Sequence, residues 1–286
     1  MSTTTAPAIT RAGSPQPGEN PQRLSFPRLV RSEWIKFSTL RSPWWSIGIV
    51  ALVSVGLSLL VASSMSGFIE AGSLSAADAS AQAVQVVLAP TSFTVLLAAV
   101  LGAISITGEY STGMIRSTLT AAPGRLGSLF AKAVVVGGFM FVSSLVIFTV
   151  AAVATAPLLS DSGIALDLAD PENSLVPILF GSLTLTAIAL LGLACGFLLR
   201  NGPGAIATAV GLVFVLPLVP AFFPVGVEGW EWIHDLAQYL PTNAGQSLMI
   251  PGAGPGLDTI PALLTLVAWV LAGLAGAAAV LKTRDA

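Results

Sequence analysis

Six apolar stretches of at least 20 residues, none with a charged residue inside, constrain the fold of this chain more than any other feature. A helix needs about 20 apolar residues to cross the hydrocarbon core of a bilayer. The backbone of such a segment satisfies its own hydrogen bonds when it is helical. The sequence therefore predicts an all-α polytopic membrane protein with six transmembrane helices. The predicted spans are 44–65, 86–107, 133–159, 176–199, 204–223 and 260–281.

The composition excludes an ordinary soluble domain. Hydrophobic residues make up 54% of the chain and charged residues only 9%, whereas about a quarter of a typical soluble domain is charged. Residues 1–24 are instead rich in Ser, Thr, Pro and Gly, which predicts a disordered cytoplasmic tail without an apolar signal-peptide region. The single cysteine, Cys195, excludes an intrachain disulfide and a multi-cysteine metal site. Residues 43–286 form the predicted transmembrane domain.

The 12 Lys and Arg residues all fall on one side of the predicted spans. The three loops on the other side contain acidic residues but no basic ones. Lys and Arg accumulate in cytoplasmic segments near helix ends, so the pattern predicts a multi-pass protein of the plasma membrane with both termini in the cytoplasm. The basic residues are Arg11, Arg23, Arg28, Arg31, Lys36 and Arg41, then Arg116, Arg125 and Lys132, then Arg200, and finally Lys282 and Arg284.

An amphipathic helix is predicted over residues 25–42, ahead of the first span. Apolar residues recur there at spacings of three and four, which favours a helix lying in the inner membrane interface, with lipid as its partner. Two residues break the pattern: Glu33 lies within the apolar stripe and Ile35 lies opposite it, although Glu33 could pair with Lys36 at i+3. The alternative is an ordinary first turn of the span itself. The stripe consists of Phe26, Leu29, Val30, Trp34, Phe37 and Leu40.

A second short helix is predicted between the fifth and sixth spans. Trp230, Ile233, Leu236 and Leu240 would form its apolar face, and Pro241 would end it. This pattern indicates an interfacial or re-entrant helix on the outer side. The single histidine of the chain, His234, falls on this segment, where we expect it to be solvated. Within the last span, we expect Trp269 to pack against neighbouring helices rather than to bind substrate.

Several kinds of chemistry are missing from the sequence. A phosphate-binding loop would read G-x-x-x-x-G-K-[ST], but Lys36, Lys132 and Lys282 are the only lysines and none follows a glycine. Any ATP must therefore be bound by another chain, and we expect no cofactor on this one. The predicted spans contain no charged residue, which argues against ion-coupled transport. With one histidine, the chain also lacks the residues of a typical intramembrane hydrolase.

Two motifs suggest contacts between elements. The segment ITGEYSTGMIRSTLTAAPGRLGSLFAK, residues 106–132, combines a carboxylate, an aromatic ring, apolar residues and a Pro-Gly turn before Arg125. Its residues alone leave two interpretations open, a docking surface and a solvated connector. Gly192 and Gly196 form a G-x-x-x-G pair, which favours close helix packing.

The 106–132 segment resembles the intracellular loop of type-2 ABC exporter permeases, especially those of actinobacteria. The stretches LLGLACGFLLRNGPGAIATAVGLVFVLP (190–217) and YLPTNAGQSL (239–248) resemble the same family. Together with the six-span layout, the resemblance extends from Arg28 to the C-terminus. Ser111 and Thr112, however, occupy positions where relatives often carry a basic residue.

The resemblance implies the permease subunit of an ATP-driven exporter, which forms the substrate path and is not itself an enzyme. It implies pairing with a second copy or a paralogue, and binding of separate ABC ATPase subunits through the entry helix and the 106–125 loop. No nucleic-acid partner is expected. Carried over by position, the residues that contact the ATPase would be Glu109, Tyr110, Arg116, Arg125, Arg31, Glu33 and Lys36.

Two alternatives come from other functional classes. The first is a stand-alone membrane facilitator or sensor subunit without an ATPase. The second is a membrane enzyme acting on lipid carriers, which is disfavoured because the outer loops offer no Arg or Lys to hold a phosphate.

Overall fold

The computed structural model describes residues 25–65, 76–115, 125–160, 163–223, 229–250 and 256–283. Within these ranges the chain forms ten helices and no strand. The helices are α1 (Phe26–Thr39), α2 (Arg41–Met65), α3 (Ala76–Leu88), α4 (Thr91–Ser111), α5 (Arg125–Ser160), α6 (Pro171–Leu199), α7 (Gly202–Phe222), α8 (Glu231–Ala237), α9 (Pro241–Met249) and α10 (Thr259–Thr283).

Among the described residues, six helices are long and apolar enough to cross a membrane, namely α2, α4, α5, α6, α7 and α10. The predicted fold class is therefore confirmed, and the chain is an all-α polytopic membrane protein. The described Lys and Arg residues lie where α4 ends and α5 begins, and we call this the basic end. The opposite end, where α6 and α10 begin, carries Asp170, Glu172 and Asp258 and is called the acidic end.

The amphipathic α1 is separated from α2 by a single extended residue. Leu40 has φ −77° and ψ 138°, which ends the first helix. Pro43 does not interrupt the helix, because it lies in the first turn of α2. Proline is tolerated at that position because the first turn has no partner for its missing N–H.

The second and third spans begin differently from the sequence prediction. A break at Ala89 and Pro90 separates α3 from α4, where one continuous helix from residue 86 was expected. Leu88 at the end of α3 lies against Gly181 of α6. The third span was predicted to start at residue 133, but α5 already begins at Arg125 and so includes Lys132. Residues 125–132 are helical because this part of α5 packs against α1. The apolar pattern of the sequence does not predict that contact.

The fifth span is irregular in its second half. A π-helical turn covers Gly211–Val215, and a 3-10 turn at Val219–Phe222 ends α7. In a regular α-helix the Val213 carbonyl would accept from the N–H of residue 217, but that residue is proline. The hydroxyl of Thr242 on α9 instead donates to the Val213 carbonyl at 2.7 Å. The proline therefore accounts for a contact between α7 and α9.

The centre of the bundle is the contact between α4 and α6. A Cβ on Gly102 would collide with the Ala189 carbonyl, and one on Gly192 would collide with the Ala99 carbonyl. Gly196 lies one turn further along, against Ile106. Small residues at these positions let the two backbones approach closely, as in other membrane helix pairs.

The helices α8 and α9 form a hairpin that enters the bundle. Gly245 of α9 lies against Thr184, near the middle of α6. The indole N–H of Trp269, near the middle of α10, donates to the Tyr239 carbonyl at 2.8 Å. These contacts reach the middle of α6 and α10, which favours a re-entrant over an interfacial segment, and they give Trp269 a structural partner within the chain.

Candidate functional site

Four charged side chains meet at the basic end, where α1 crosses α4 and α5. Lys132 Nζ of α5 lies 2.6 Å from Glu33 Oε2 and 2.7 Å from Glu109 Oε1. Lys36 Nζ lies 2.6 Å from Glu33 Oε1 and 3.9 Å from Glu109 Oε1. Two carboxylates therefore face two ammonium groups, and the network has no net formal charge. We call these four residues the ion network.

Three of the four residues of the ion network are buried, and Lys36 is partly exposed. Glu33 is 3% exposed, Glu109 5% and Lys132 5%. An unpaired charge at such a depth would cost several kcal/mol in lost hydration. The α1 helix can therefore pack with Glu33 facing inward only because Lys132 and Lys36 pair with this carboxylate.

Aromatic packing holds the same face of α1 against α5. Phe139 of α5 contacts the ring of Phe37 on α1 edge-on, with ring centroids 5.0 Å apart, and the ring of Trp44 in the first turn of α2 edge-on at 5.6 Å. Trp34 lies further away, at 6.5 Å from Phe139. Edge-to-face contacts of this kind add to the area that the rings bury. The apolar stripe of α1 and Glu33 therefore face the same helix, α5.

The ion network changes the acidity of Glu33. Burial by itself would raise the pKa of this carboxyl, but the charges of Lys132 and Lys36 and their hydrogen bonds outweigh it, so the pKa lies below its usual value of 4.5. Glu33 is thus held ionised in the folded protein.

Two arginines hold the end of the last span at the same face of the molecule. Arg125 Nη1 donates to the Leu281 carbonyl at 3.0 Å, and Arg200 Nη2 donates to the Val280 carbonyl at 3.3 Å. Cations are favourable near the carbonyl end of a helix. Arg200 also lies over the Tyr110 ring, with its guanidinium carbon 5.7 Å from the centroid.

Turn geometry positions Arg200. It ends α6 in the left-handed region with φ 54°, and its N–H donates to the Gly196 carbonyl. A side chain leaving this tight turn is directed toward α10 rather than along α6. Tyr110 completes the cluster through an edge-on contact with Phe197 of α6.

The structure brings together only part of the predicted ATPase-contact set. Glu33, Lys36 and Glu109 meet in the ion network. Tyr110 and Arg125 lie beside the end of α10. Arg31 is exposed on α1, and Arg116 lies outside the described residues, as does the whole stretch between it and Arg125.

Two important residues were not in the predicted site. Lys132 and Arg200 were predicted only as members of the basic set that faces the cytoplasm. A carboxylate within an apolar stripe needs a cation, and Lys36 at i+3 on the same helix already met that need for Glu33. Nothing in the sequence indicated that Lys132 supplies a second cation.

The charges of this region have a structural role, because the carboxylates and ammonium groups neutralise one another. In the part of the chain that the structure describes, no three His, Cys, Asp or Glu side chains come together to hold a metal ion. What the arrangement can do is make α1, α4 and α5 move together.

The sequence matches no known protein-family model and no curated protein.

Proposed function

We propose that this chain is the membrane-spanning permease subunit of an ATP-driven exporter, with ATP bound and hydrolysed on separate subunits. The observation that carries the proposal is the ion network. It ties a surface helix, α1, to two spans at the end of the bundle where the 106–125 loop leaves α4 and returns to α5. A force applied to α1 or to that loop would be transmitted directly to both spans.

The orientation belongs to the same proposal. The end that carries the basic residues faces the cytoplasm of a plasma-membrane protein, where ATP is available. Both chain termini then lie on the cytoplasmic side. Sequence resemblance supports export as the direction of transport, and it also supports pairing with a second copy or a paralogue.

The structure modifies how ATPase contact would occur. The Glu33 and Glu109 carboxylates are engaged within the chain, so in this proposal they hold the helices that carry the contact surface. The surface itself consists of exposed residues, including Arg28 and Arg31 on α1 and Thr112 and Met114 after α4. The permease does no covalent chemistry, and its apolar spans suit a hydrophobic or amphipathic cargo.

The proposal is tested by isolating the full-length, tagged chain in mild detergent from its native membrane and measuring ATP hydrolysis in the preparation. We expect an ATPase subunit to co-purify. Repeated absence of ATP hydrolysis would instead favour a stand-alone facilitator or sensor subunit.

The contact surface is tested with matched charge reversals. Arg31→Glu changes an exposed residue of α1, and Lys282→Glu changes an exposed residue at the end of α10. We expect Arg31→Glu to reduce ATPase association at least tenfold and Lys282→Glu to leave it within about twofold. Equal association of both variants would contradict α1 as the contact helix.

A further inference from the structure

The acidic end contains a cavity that the proposed coupling role does not use. Its volume is about 720 Å³, within the range of pockets that bind small molecules. It lies between the α3–α4 break, the proline-containing end of α7, the α8–α9 hairpin and the start of α10. Both irregular spans of the bundle therefore border this cavity.

Polar groups without partners line the cavity. The hydroxyls of Thr91 and Thr184 and the Nε2 atom of His234 are buried and accept or donate no hydrogen bond within the described part of the chain. Thr91 is 3% exposed and Thr184 is fully buried. Buried polar groups are normally paired because leaving them unpaired is unfavourable. A ligand that reaches these three atoms would supply their missing hydrogen-bond partners.

The remaining lining shows what kind of ligand fits. Asn243, Gln246 and Asp258 add amide and carboxylate groups, whereas Leu88, Val95 and other aliphatic residues supply an apolar part. Among the described lining residues, Asp258 is the one with a full negative charge. No Lys or Arg occurs in residues 42–115, 133–199 or 201–281, from which the whole lining comes. An anionic head would thus meet a carboxylate with no cation to balance it.

We infer that this cavity binds an amphipathic molecule whose head is uncharged and rich in hydroxyl groups. Hydroxyls both donate and accept, as the mixed threonine, amide and imidazole lining requires. The site does not depend on the ATPase. A failure to bind would leave the proposed function untouched, and absence of an ATPase would leave this inference untouched.

Direct binding tests the inference on the full-length chain in phosphatidylcholine nanodiscs. The probe is tritiated octyl glucoside, used below the concentration that disrupts the bilayer, with empty nanodiscs as background. We expect saturable binding. Unlabelled octyl glucoside should compete at least tenfold better than octyl phosphate or octyltrimethylammonium, which share its chain.

Each competing outcome has a defined meaning. Absence of saturable binding would overturn the inference. Equal or better competition by octyl phosphate would show that the helix N-termini at the cavity select an anion, and preference for octyltrimethylammonium would show that Asp258 selects a cation. Either result would overturn the assignment of an uncharged head.

Two isosteric variants locate the site. Thr184→Val and Thr91→Val each remove a hydroxyl that has no partner in the protein, so neither should lower the thermal unfolding midpoint. Each should weaken octyl glucoside binding about 2- to 10-fold, the range expected for one hydrogen bond.

Thr155→Val is the matched control. Thr155 is a buried threonine of α5 that donates to the Ala151 carbonyl and is not part of the lining. Its substitution should leave affinity unchanged. Unchanged affinity in both lining variants, or an equal loss in the control, would overturn the assignment.

Discussion

At the scale of single residues, Glu33 and Lys132 have the most demanding environments in the described protein. Each is almost fully buried, and each has an oppositely charged partner within 2.7 Å. A buried ion pair contributes little net stability, because the attraction only offsets the lost hydration. Removing only one partner of the pair nevertheless lowers the stability, because the other charge stays buried without a counter-charge. The ion network therefore specifies how α1 docks rather than how stable the bundle is.

The first expected outcome compares the removal of one charge from the ion network with the removal of two opposite charges. Lys132→Met leaves two buried carboxylates facing Lys36 alone, and we expect the free energy of unfolding to fall by about 3–5 kcal/mol. In Glu109→Met/Lys132→Met the Glu33–Lys36 pair remains balanced, so most of this loss should be recovered. Unfolding in mixed micelles measures both. A double variant as unstable as the single one would show that the charges are not coupled.

The second expected outcome concerns pH. Because the pKa of Glu33 is lowered in the folded state, its ionised form contributes stability fully above its usual pKa of 4.5, and this contribution is lost as the pH falls through the lowered value. The unfolding midpoint of the natural chain should therefore drop more steeply below pH 4.5 than that of Glu33→Gln. Parallel curves for the two proteins between pH 7 and 3 would contradict this linkage.

At the scale of helices, two kinds of contact organise the bundle. The α4–α6 contact depends on glycines that allow backbone atoms to touch. The α7–α9 contact depends on a threonine that bonds a carbonyl left without its usual donor by Pro217. In both cases a residue that weakens an isolated helix creates a contact between helices, because a missing side chain or a missing N–H makes room for a neighbour.

The third expected outcome uses this difference between glycines. A methyl group on Gly192 would meet the Ala99 backbone, whereas one on Gly138 of α5 would meet nothing within 4 Å. We expect Gly192→Ala to destabilise the protein by about 1–3 kcal/mol through overpacking. Gly138→Ala should be neutral or stabilising by up to about 1 kcal/mol, because alanine favours helix. Thermal unfolding of the two variants tests this, and equal effects would mean that the close approach is relaxed in solution.

At the scale of the whole molecule, the two ends have different chemistry. The basic end has charges that pair with one another, and the acidic end has a cavity with a mixed polar and apolar lining. A molecule with a rigid connection at one end and a ligand-sized space at the other is suited to linking a movement on one side of a membrane to binding on the other. The proposed permease function makes use of the basic end, and ligand binding in the cavity is a separate inference.

The fourth expected outcome concerns membrane orientation. A reporter fused after Ala286 should be active only as a cytoplasmic reporter, and one inserted after Gly163, at the acidic end, only as an extracytoplasmic one. The reason is the retention of basic segments in the cytoplasm. The reverse pattern would invert the proposed orientation and remove the basis for ATPase contact at the basic end.

Sequence patterns predicted some of the candidate site. The Glu33–Lys36 pair follows from i+3 spacing on one helix, and the structure confirms it at 2.6 Å. The partnership of Glu33 with Lys132 and of Lys132 with Glu109 was not predicted. These residues come from three helices, and no local pattern relates their positions. The sequence also left open whether the segment of α8 and α9 is interfacial or re-entrant. The contacts of this segment with Thr184 and Trp269, which come from distant helices, favour the re-entrant position.

The sequence by itself determined that this chain has six membrane-spanning helices and one basic side, because apolar length and the placement of Lys and Arg can be read from consecutive residues. Only the tertiary structure decided which charges are buried and paired, where α5 begins, and which polar groups remain without partners at a cavity. Such properties depend on which surfaces of distant segments meet, since hydration is lost only where they do.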